Sequence, residues 1–203
     1  AHDAPWRVLK MSRNAFAFIR AVYAQLFVFP RIEHMTTVSP HMVEDLQRLN
    51  RYKGEIKVIP NGIRVESPLV SGSKFQVSGE GMWKKVIRRD AKTIVCVSQA
   101  GRLKNTQVLA KAFEVLRAKH PEWRFLMLGL GLRDGVVTRE ERDRILREEA
   151  DVFCSPSLEE SFGMVFVEAM LQGVPCVGGE NSGAVPWVLG NGEAGVLTDV
   201  TKP

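Results

Sequence analysis

The hydrophobic rhythm of the chain becomes regular from about residue 92. Short apolar runs then alternate with amphipathic stretches. TIVCV (93–97), WRFLMLG (123–129), DVFCSP (151–156), PCVGG (175–179) and GVLT (195–198) read as strands. Between them, a helix is predicted from Asn105 or Thr106, one of which caps it, to about Lys119, where His120-Pro121 stops it. REERDRILREEA is a charged helix capped by Thr138, FGMVFVEAMLQ is a helix closed by Gly173, and SGAVPWVLG is a turn and helix. Strands that are apolar throughout, rather than on alternate residues, are buried on both faces. The pattern therefore predicts an α/β fold with a parallel, doubly wound, Rossmann-like sheet.

The first part of the chain is less regular. Residues 6–29 carry Leu9, Phe16, Phe18 and Ile19 at helical spacing, interleaved with Arg7, Lys10, Arg13 and Arg20. So many aromatic and aliphatic residues favour a buried helix pair. The alternative is a basic amphipathic surface docked on anionic lipid. HMTTVSPHMVEDLQRL contains a strand end at TTVS. Ser39 and Pro40 then form an N-cap and first helical position, with the helix running to about Asn50. EIKVIPNGI (55–63) is a short strand broken by Pro60, Asn61 and Gly62. The Ser/Gly-rich and charge-clustered segment 64–91 reads as a linker. Three parts follow: a partial N-terminal domain over 1–63, a linker over 64–91 and a C-terminal domain over 92–203.

Composition narrows this picture only a little. With 45% hydrophobic and 25% charged residues, the 203-residue chain is ordinary globular material. Its net charge of +5 suits an anionic partner such as a nucleotide, a phosphate or a lipid headgroup. Nucleic acid is not expected, because the basic residues are scattered and carry no recognised binding motif. Cys96, Cys154 and Cys176 each lie in an apolar run without metal-ligand or disulfide spacing, and read as small buried hydrophobes. The opening AHDAPWRVLK has no basic region leading into an apolar stretch, so a cytoplasmic location is expected. The most apolar segment, 15–30, is interrupted by Arg20, ended by Pro30 and shorter than the roughly 20 residues that span a bilayer. Contact with a membrane, if made, is peripheral.

Candidate chemistry lies where strands end. In a doubly wound sheet, ligands bind outside the carboxyl ends of the strands. After DVFCSP come Glu159, Glu160, Ser161, Phe162 and Gly163, at a helix start whose amides and dipole favour an anion. Glu168 follows eight residues after Glu160. Two carboxylates flanking an anion site could hold hydroxyls at opposite ends of an elongated, diphosphate-centred ligand. The competing reading makes Ser157–Glu160 a capping box and Glu168 surface charge. A second basic loop, with Arg102, Lys104 and Asn105 after TIVCV, favours one ligand bridging two loops. The Gly129–Gly131 pair is only G-x-G, with no acid on a following strand, and does not make a dinucleotide fingerprint.

Together these motifs resemble the family 4 glycosyltransferases of GT-B architecture. The resemblance rests on VIPNGI (58–63), RLKN (102–105), KAFEVLRAKHPEWRFLMLGLG (111–131), ADVFCSPSLEESFGMVFVEAMLQGVPCVGG (150–179) and GAVPWVLGNGEAGVL (183–197). It covers most of the chain from Thr36, outside 64–91. It implies a nucleotide-diphosphate sugar as donor, no cofactor and, since no D-x-D triplet occurs, no metal. It implies that Glu168 binds the donor ribose, that Glu160 contacts the transferred sugar, and that amides at Phe162 and Gly163, with Lys104, receive the diphosphate. Arg102 would assist there, Ser182-Gly183 would line the nucleotide pocket, and His2 would approach the sugar. Transfer usually retains anomeric configuration in this family. The acceptor, whether glycan, lipid or small molecule, is not implied.

Three departures accompany the resemblance. The family's glycine and arginine a few residues before the lysine are replaced by Ser98 and Gln99. The helix and strand that usually follow the G-x-G are missing from GLGLRDGVVTREERD. Much of an N-terminal domain and the closing helices are absent, so a fragment, a subset of a longer chain or a degenerate product is expected. The alternative function is a non-catalytic nucleotide-sugar-binding remnant, or a subunit that needs a partner.

Overall fold

A computed structural model of the chain describes residues 15–48, 50–63, 93–98, 101–129 and 137–203. The expected linker lies outside them, as do His2, Gln99 and Gly131. The chain divides into two compact units, Ala1–Gly62 and Ile63–Pro203.

The first unit begins with helix α1 (Ala15–Tyr23), continued by a π-helical turn (Ala24–Val28) and a 3-10 turn (Phe29–Arg31). Pro30, which has no N–H to donate, sits in that last tightened turn. Strand β1 (His34–Thr37) leads into helix α2 (Pro40–Arg48), and β2 (Glu55–Val58) returns parallel to β1, with His34 opposite Glu55 and Thr37 opposite Val58. Proline does open α2, but the helix stops at Arg48, short of Asn50. Met42, Leu46 and Tyr52 form the small core of this unit. The Tyr52 hydroxyl donates to the Ile32 carbonyl at 3.1 Å, and its ring meets Phe29 edge-on.

The expectation of a buried helix in the first 29 residues is overturned over 15–28. Ala21 is buried, but Phe16 and Ile19 are 66% and 62% exposed, and Phe18, Tyr23, Leu26 and Phe27 are also exposed. Apolar periodicity fixes which residues share a stripe. It does not fix what covers the stripe. Among the described residues, no helix is long and apolar enough to cross a membrane.

The second unit carries the regular pattern. Its elements are β3 (Thr93–Val97), α3 (Thr106–Lys119), β4 (Arg124–Leu128), α4 (Arg139–Glu148), β5 (Val152–Ser155), α5 (Met164–Leu171), β6 (Cys176–Gly179), α6 (Val185–Val188) and β7 (Val196–Thr198). The five strands form a wholly parallel sheet in the order β4-β3-β5-β6-β7. Val95, Phe153, Phe166, Ala169, Val185 and Leu189 are fully or almost fully buried and form its core with Ile145 and Leu146 from α4. Phe153 on β5 and Phe166 on α5 stack edge to face at 5.4 Å, which locks that helix onto the sheet.

Local chemistry explains most helix boundaries. Thr138 caps α4 as expected, its hydroxyl accepting from the Glu141 amide at 3.1 Å. Gly173, at φ +75°, ends the α5 segment, where the Val174 amide reaches back to the Ala169 carbonyl. The start of α3 differs from expectation. Asn105 does stand at the N-cap, but in the left-handed conformation (φ 50°) and without a side-chain cap. Its amide instead donates to the Val200 carbonyl at 2.7 Å, tying the loop after β3 to the end of the chain.

Candidate functional site

The strand order dictates where a ligand would sit. From β3 the chain moves to β4 on one side, and β5 then pairs with the other side of β3. The loops leaving β3 and β5 therefore diverge at their carboxyl ends, opening the crevice typical of a topological switch point. Both basic and acidic candidates lie on these two loops.

After β3 the chain passes Ser98 and forms a 3-10 turn over Arg102–Lys104. After β5 it runs through Ser157 to Gly163 and into α5. Two contacts join the loops. The Leu158 amide donates to the Leu103 carbonyl at 2.8 Å, and Lys104 Nζ meets Glu160 Oε1 at 2.5 Å. The Glu160 side chain is 12% exposed and that of Lys104 35%. The ammonium is thus partly withdrawn from water and held at the crevice by its carboxylate partner. Arg102, on the same turn, is exposed.

The capping-box alternative for Ser157–Glu160 does not hold. The N-cap of α5 is Gly163, three residues beyond Glu160, and it makes no side-chain cap. Ser157 is fully buried, with its hydroxyl 3.3 Å from that of Ser155. The carboxylate of Glu160 is therefore committed to the crevice rather than to a helix end. Gly163 adopts φ +88°, a conformation that side chains disfavour. A Cβ there would also meet the Phe166 ring at 3.0 Å. This turn presents the first amides of α5, which have no carbonyl one turn earlier in the helix. Phe162, beside it, is buried and packs edge-on against Trp187 at 5.9 Å. Ser161 is half-buried.

A third loop closes against these two. Gly183, at φ +65°, lies so near the 159–160 backbone that a Cβ would fall on the Glu160 carbonyl and the Glu159 carboxylate. The Ala184 amide donates to that same Glu160 carbonyl at 2.9 Å. Ser182 is buried, and among the described residues its hydroxyl has no hydrogen-bond partner. Glycine at 183 is what allows the loop after β6 to pack on the loop after β5.

Glu168 sits a little over one turn into α5 and is not the surface charge of the alternative reading. Its side chain is 13% exposed, and Oε1 accepts from Arg142 Nη2 of α4 at 2.9 Å. Burial pushes its pKa up from the ordinary carboxylate value, against the pull of the Arg142 guanidinium. The structure thus pairs Lys104 with Glu160 and Arg142 with Glu168. Arg142 was not singled out in the sequence, where it is one of several arginines in a charged helix. The only hint is that the helix follows the segment leading to the sheet edge.

The three cysteines lie on neighbouring strands, and burial pushes each thiol up to about 12, which leaves them unreactive.

A Rossmann-like parallel sheet with its cleft at the β3/β5 switch point is of the type found in GT-B glycosyltransferases. The chain belongs to the family Glycosyl transferases group 1, whose model matches residues 78–203. It is 31% identical over 138 residues to a D-inositol 3-phosphate glycosyltransferase of Corynebacterium kroppenstedtii, covering 56% of this chain and 30% of that protein. It is 24% identical over 163 residues to the alpha-monoglucosyldiacylglycerol synthase of Acholeplasma laidlawii, covering 71% of this chain and 41% of that protein. Among solved structures, sucrose-phosphate synthase from Thermosynechococcus elongatus matches 98% of this chain and 53% of its own, with a TM-score of 0.64 at 19% identity. The pneumococcal O-GlcNAc transferase GtfA, solved with UDP and GlcNAc, matches 87% of this chain and 36% of its own, with a TM-score of 0.61 at 19% identity. The chain spans well under half the length of the curated relatives described here.

Proposed function

We propose that this chain transfers a sugar from a nucleotide-diphosphate sugar to an acceptor, with retention of configuration and without a metal ion. The observation that carries this reading is the junction of the two loops at the switch point. There Lys104 and Glu160 meet beside the amide-rich turn of Gly163. Breaking a sugar–diphosphate bond leaves negative charge on the departing phosphate. Lys104, assisted by Arg102, and the start of α5 supply positive potential where that charge develops. Glu160 faces the sugar, orienting it and stabilising positive charge at the anomeric carbon. Glu168 accepts hydrogen bonds from the ribose, and Ser161, Phe162 and Gly163 line the diphosphate site. Donor binding exchanges one partner of Lys104 for another: the ammonium leaves Glu160 for phosphate, which frees the carboxylate for the sugar.

Isothermal titration with UDP-glucose, GDP-mannose and ADP-glucose tests this reading. One donor is expected to bind the wild type and to lose at least about tenfold in affinity in Lys104→Ala, the scale of a charge-assisted hydrogen bond to phosphate. Equal binding by wild type and variant would contradict the assignment. Analysis of the product anomer and retention of turnover in chelator test the two finer points.

The exposed apolar stretch of the first unit supports two additions. From Ala15 to Ile32 the chain contains Arg20 and Arg31 but no acidic residue, and it exposes Phe16, Ile19, Tyr23 and Phe27. This is the chemistry of a peripheral contact with anionic lipid, and a lipid acceptor fits it. Co-sedimentation with anionic vesicles that is unchanged by Phe16→Ser/Ile19→Ser would remove that contact from the account. The same uncovered face favours a second functional reading, a nucleotide-sugar-binding subunit that turns over only with a partner. Turnover by the isolated chain separates the two.

A further inference from the structure

Resting on the reading that Glu168 binds donor hydroxyls, we propose that Arg142 is the positioning residue for that carboxylate. It holds Oε1 in one orientation, so that Oε2 serves the ligand.

Several observations converge on this pair. Arg142 Nη2 lies 2.9 Å from Glu168 Oε1, and the side chains are only 19% and 13% exposed. A half-buried ion pair of this kind holds a fixed geometry better than an exposed one, because water competes less for either partner. Among the described residues, Arg142 is the only group that hydrogen-bonds the Glu168 carboxylate. Its Nε lies 3.5 Å from Asp143 Oδ1, a charge contact in which, among the described residues, neither buried atom has a hydrogen-bond partner. Further along the same helix Arg147 Nε donates to Gln172 Oε1 at 3.0 Å, which ties α4 to the end of α5.

The electrostatics give the pair its purpose. Burial favours the neutral acid at Glu168, and a protonated carboxyl is a poorer acceptor for sugar hydroxyls. The charges acting on it all come from α4: Arg142 and Arg139 favour the carboxylate, and Asp143 opposes it. Arg142 alone among these also hydrogen-bonds to it. Removing Arg142 leaves burial and Asp143 dominant, and the Glu168 pKa must rise.

The test uses the full chain as wild type, Arg142→Met, Arg142→Lys and Glu168→Ala. Methionine keeps the aliphatic stem in place, so loss of fold is not expected, and near-UV circular dichroism checks it. Two quantities are measured. The first is the titration of the Glu168 carboxyl by carbon-13 NMR, which needs no ligand. It should move upward in Arg142→Met and return most of the way in Arg142→Lys. The second is the affinity, from pH 8 to pH 5, for whichever of UDP-glucose, GDP-mannose and ADP-glucose the wild type binds. The ratio of variant to wild-type Kd should grow as pH falls, by roughly tenfold for each unit by which the carboxyl pKa has risen. A merely structural ion pair would give a ratio that is constant with pH, and would overturn the proposal, as would an unmoved Glu168 titration. If Glu168→Ala binds donor like the wild type, the underlying reading of Glu168 fails. If Glu168→Ala loses binding while Arg142→Met shows no pH-dependent loss, only the role of Arg142 fails.

Discussion

Helices α1 and α5 are written in nearly the same alphabet, AFAFIRAVY and MVFVEAML, yet they have opposite fates. In α5, Phe166 and Ala169 are fully buried against β5, β6 and α6. In α1, Phe16 and Ile19 are among the most exposed large apolar residues of the described chain, at 66% and 62%. The difference lies in what surrounds them. The helix α5 sits on a five-stranded sheet, whereas among the described residues the first unit has only a two-stranded one. Apolar content alone predicts a wish for burial, and the neighbouring strands decide whether it is met.

The largest effect expected from this comparison is on stability. Phe166→Ala should cost the second unit about 3–5 kcal/mol, the usual range for truncating a buried aromatic ring. Ile19→Ser should change stability by no more than about 0.5 kcal/mol, as exposed substitutions do. Denaturant melts of both variants check the contrast. A large loss from Ile19→Ser would mean that α1 is covered after all.

Gly163→Ala comes next. It forces a Cβ onto a left-handed backbone and toward the Phe166 ring, at a cost of about 1–3 kcal/mol. It also shifts the amides that start α5, so donor affinity should fall together with the melting temperature. A variant that loses neither would show that the turn is tolerant and is not the anion site.

A smaller effect is predicted at the loop junction. A double-mutant cycle of Lys104→Ala and Glu160→Ala should give a coupling near 1 kcal/mol in the unliganded protein, since the lysine is partly solvated. The coupling should shrink when saturating donor is present, because Lys104 then turns to phosphate. An unchanged coupling would mean that the two residues are a structural clip.

The smallest effect is a pH dependence at Glu168. Its folded pKa lies above the unfolded value, so the folded state holds the proton more tightly. The stability it contributes is present at low pH and falls as pH rises through the interval above 4.5. Glu168→Gln removes this slope. The melting temperature of the variant relative to wild type should therefore rise between acidic and neutral pH. A difference that falls over that range would mean that pairing with Arg142 outweighs burial.

Much of the second unit was legible in the sequence because its strands are apolar throughout and its helix ends carry recognisable signals. Thr138 and Gly173 do what their residue types predict. Asn105 does not, because a distant carbonyl at Val200 captures the side chain that would have capped α3. The same limit applies at the site. Glu160, Lys104 and Gly163 stood out as residues at strand ends. The pairing of Lys104 with Glu160, and of Arg142 with Glu168, spans 56 and 26 residues and depends on how loops and helices dock. In the first unit, helical periodicity gave α1 its place but could not reveal that its apolar residues Phe16 and Ile19 stay exposed.

The measurement that tests the central claim most directly is a thermal-shift comparison of the wild type and Glu168→Ala with UDP-, GDP- and ADP-sugars. At about a hundred times its Kd, a bound donor adds roughly 2.7 kcal/mol of stability. The account predicts a clear upward shift with one nucleotide, lost in Glu168→Ala. A cooperative melt that no nucleotide sugar moves would contradict it.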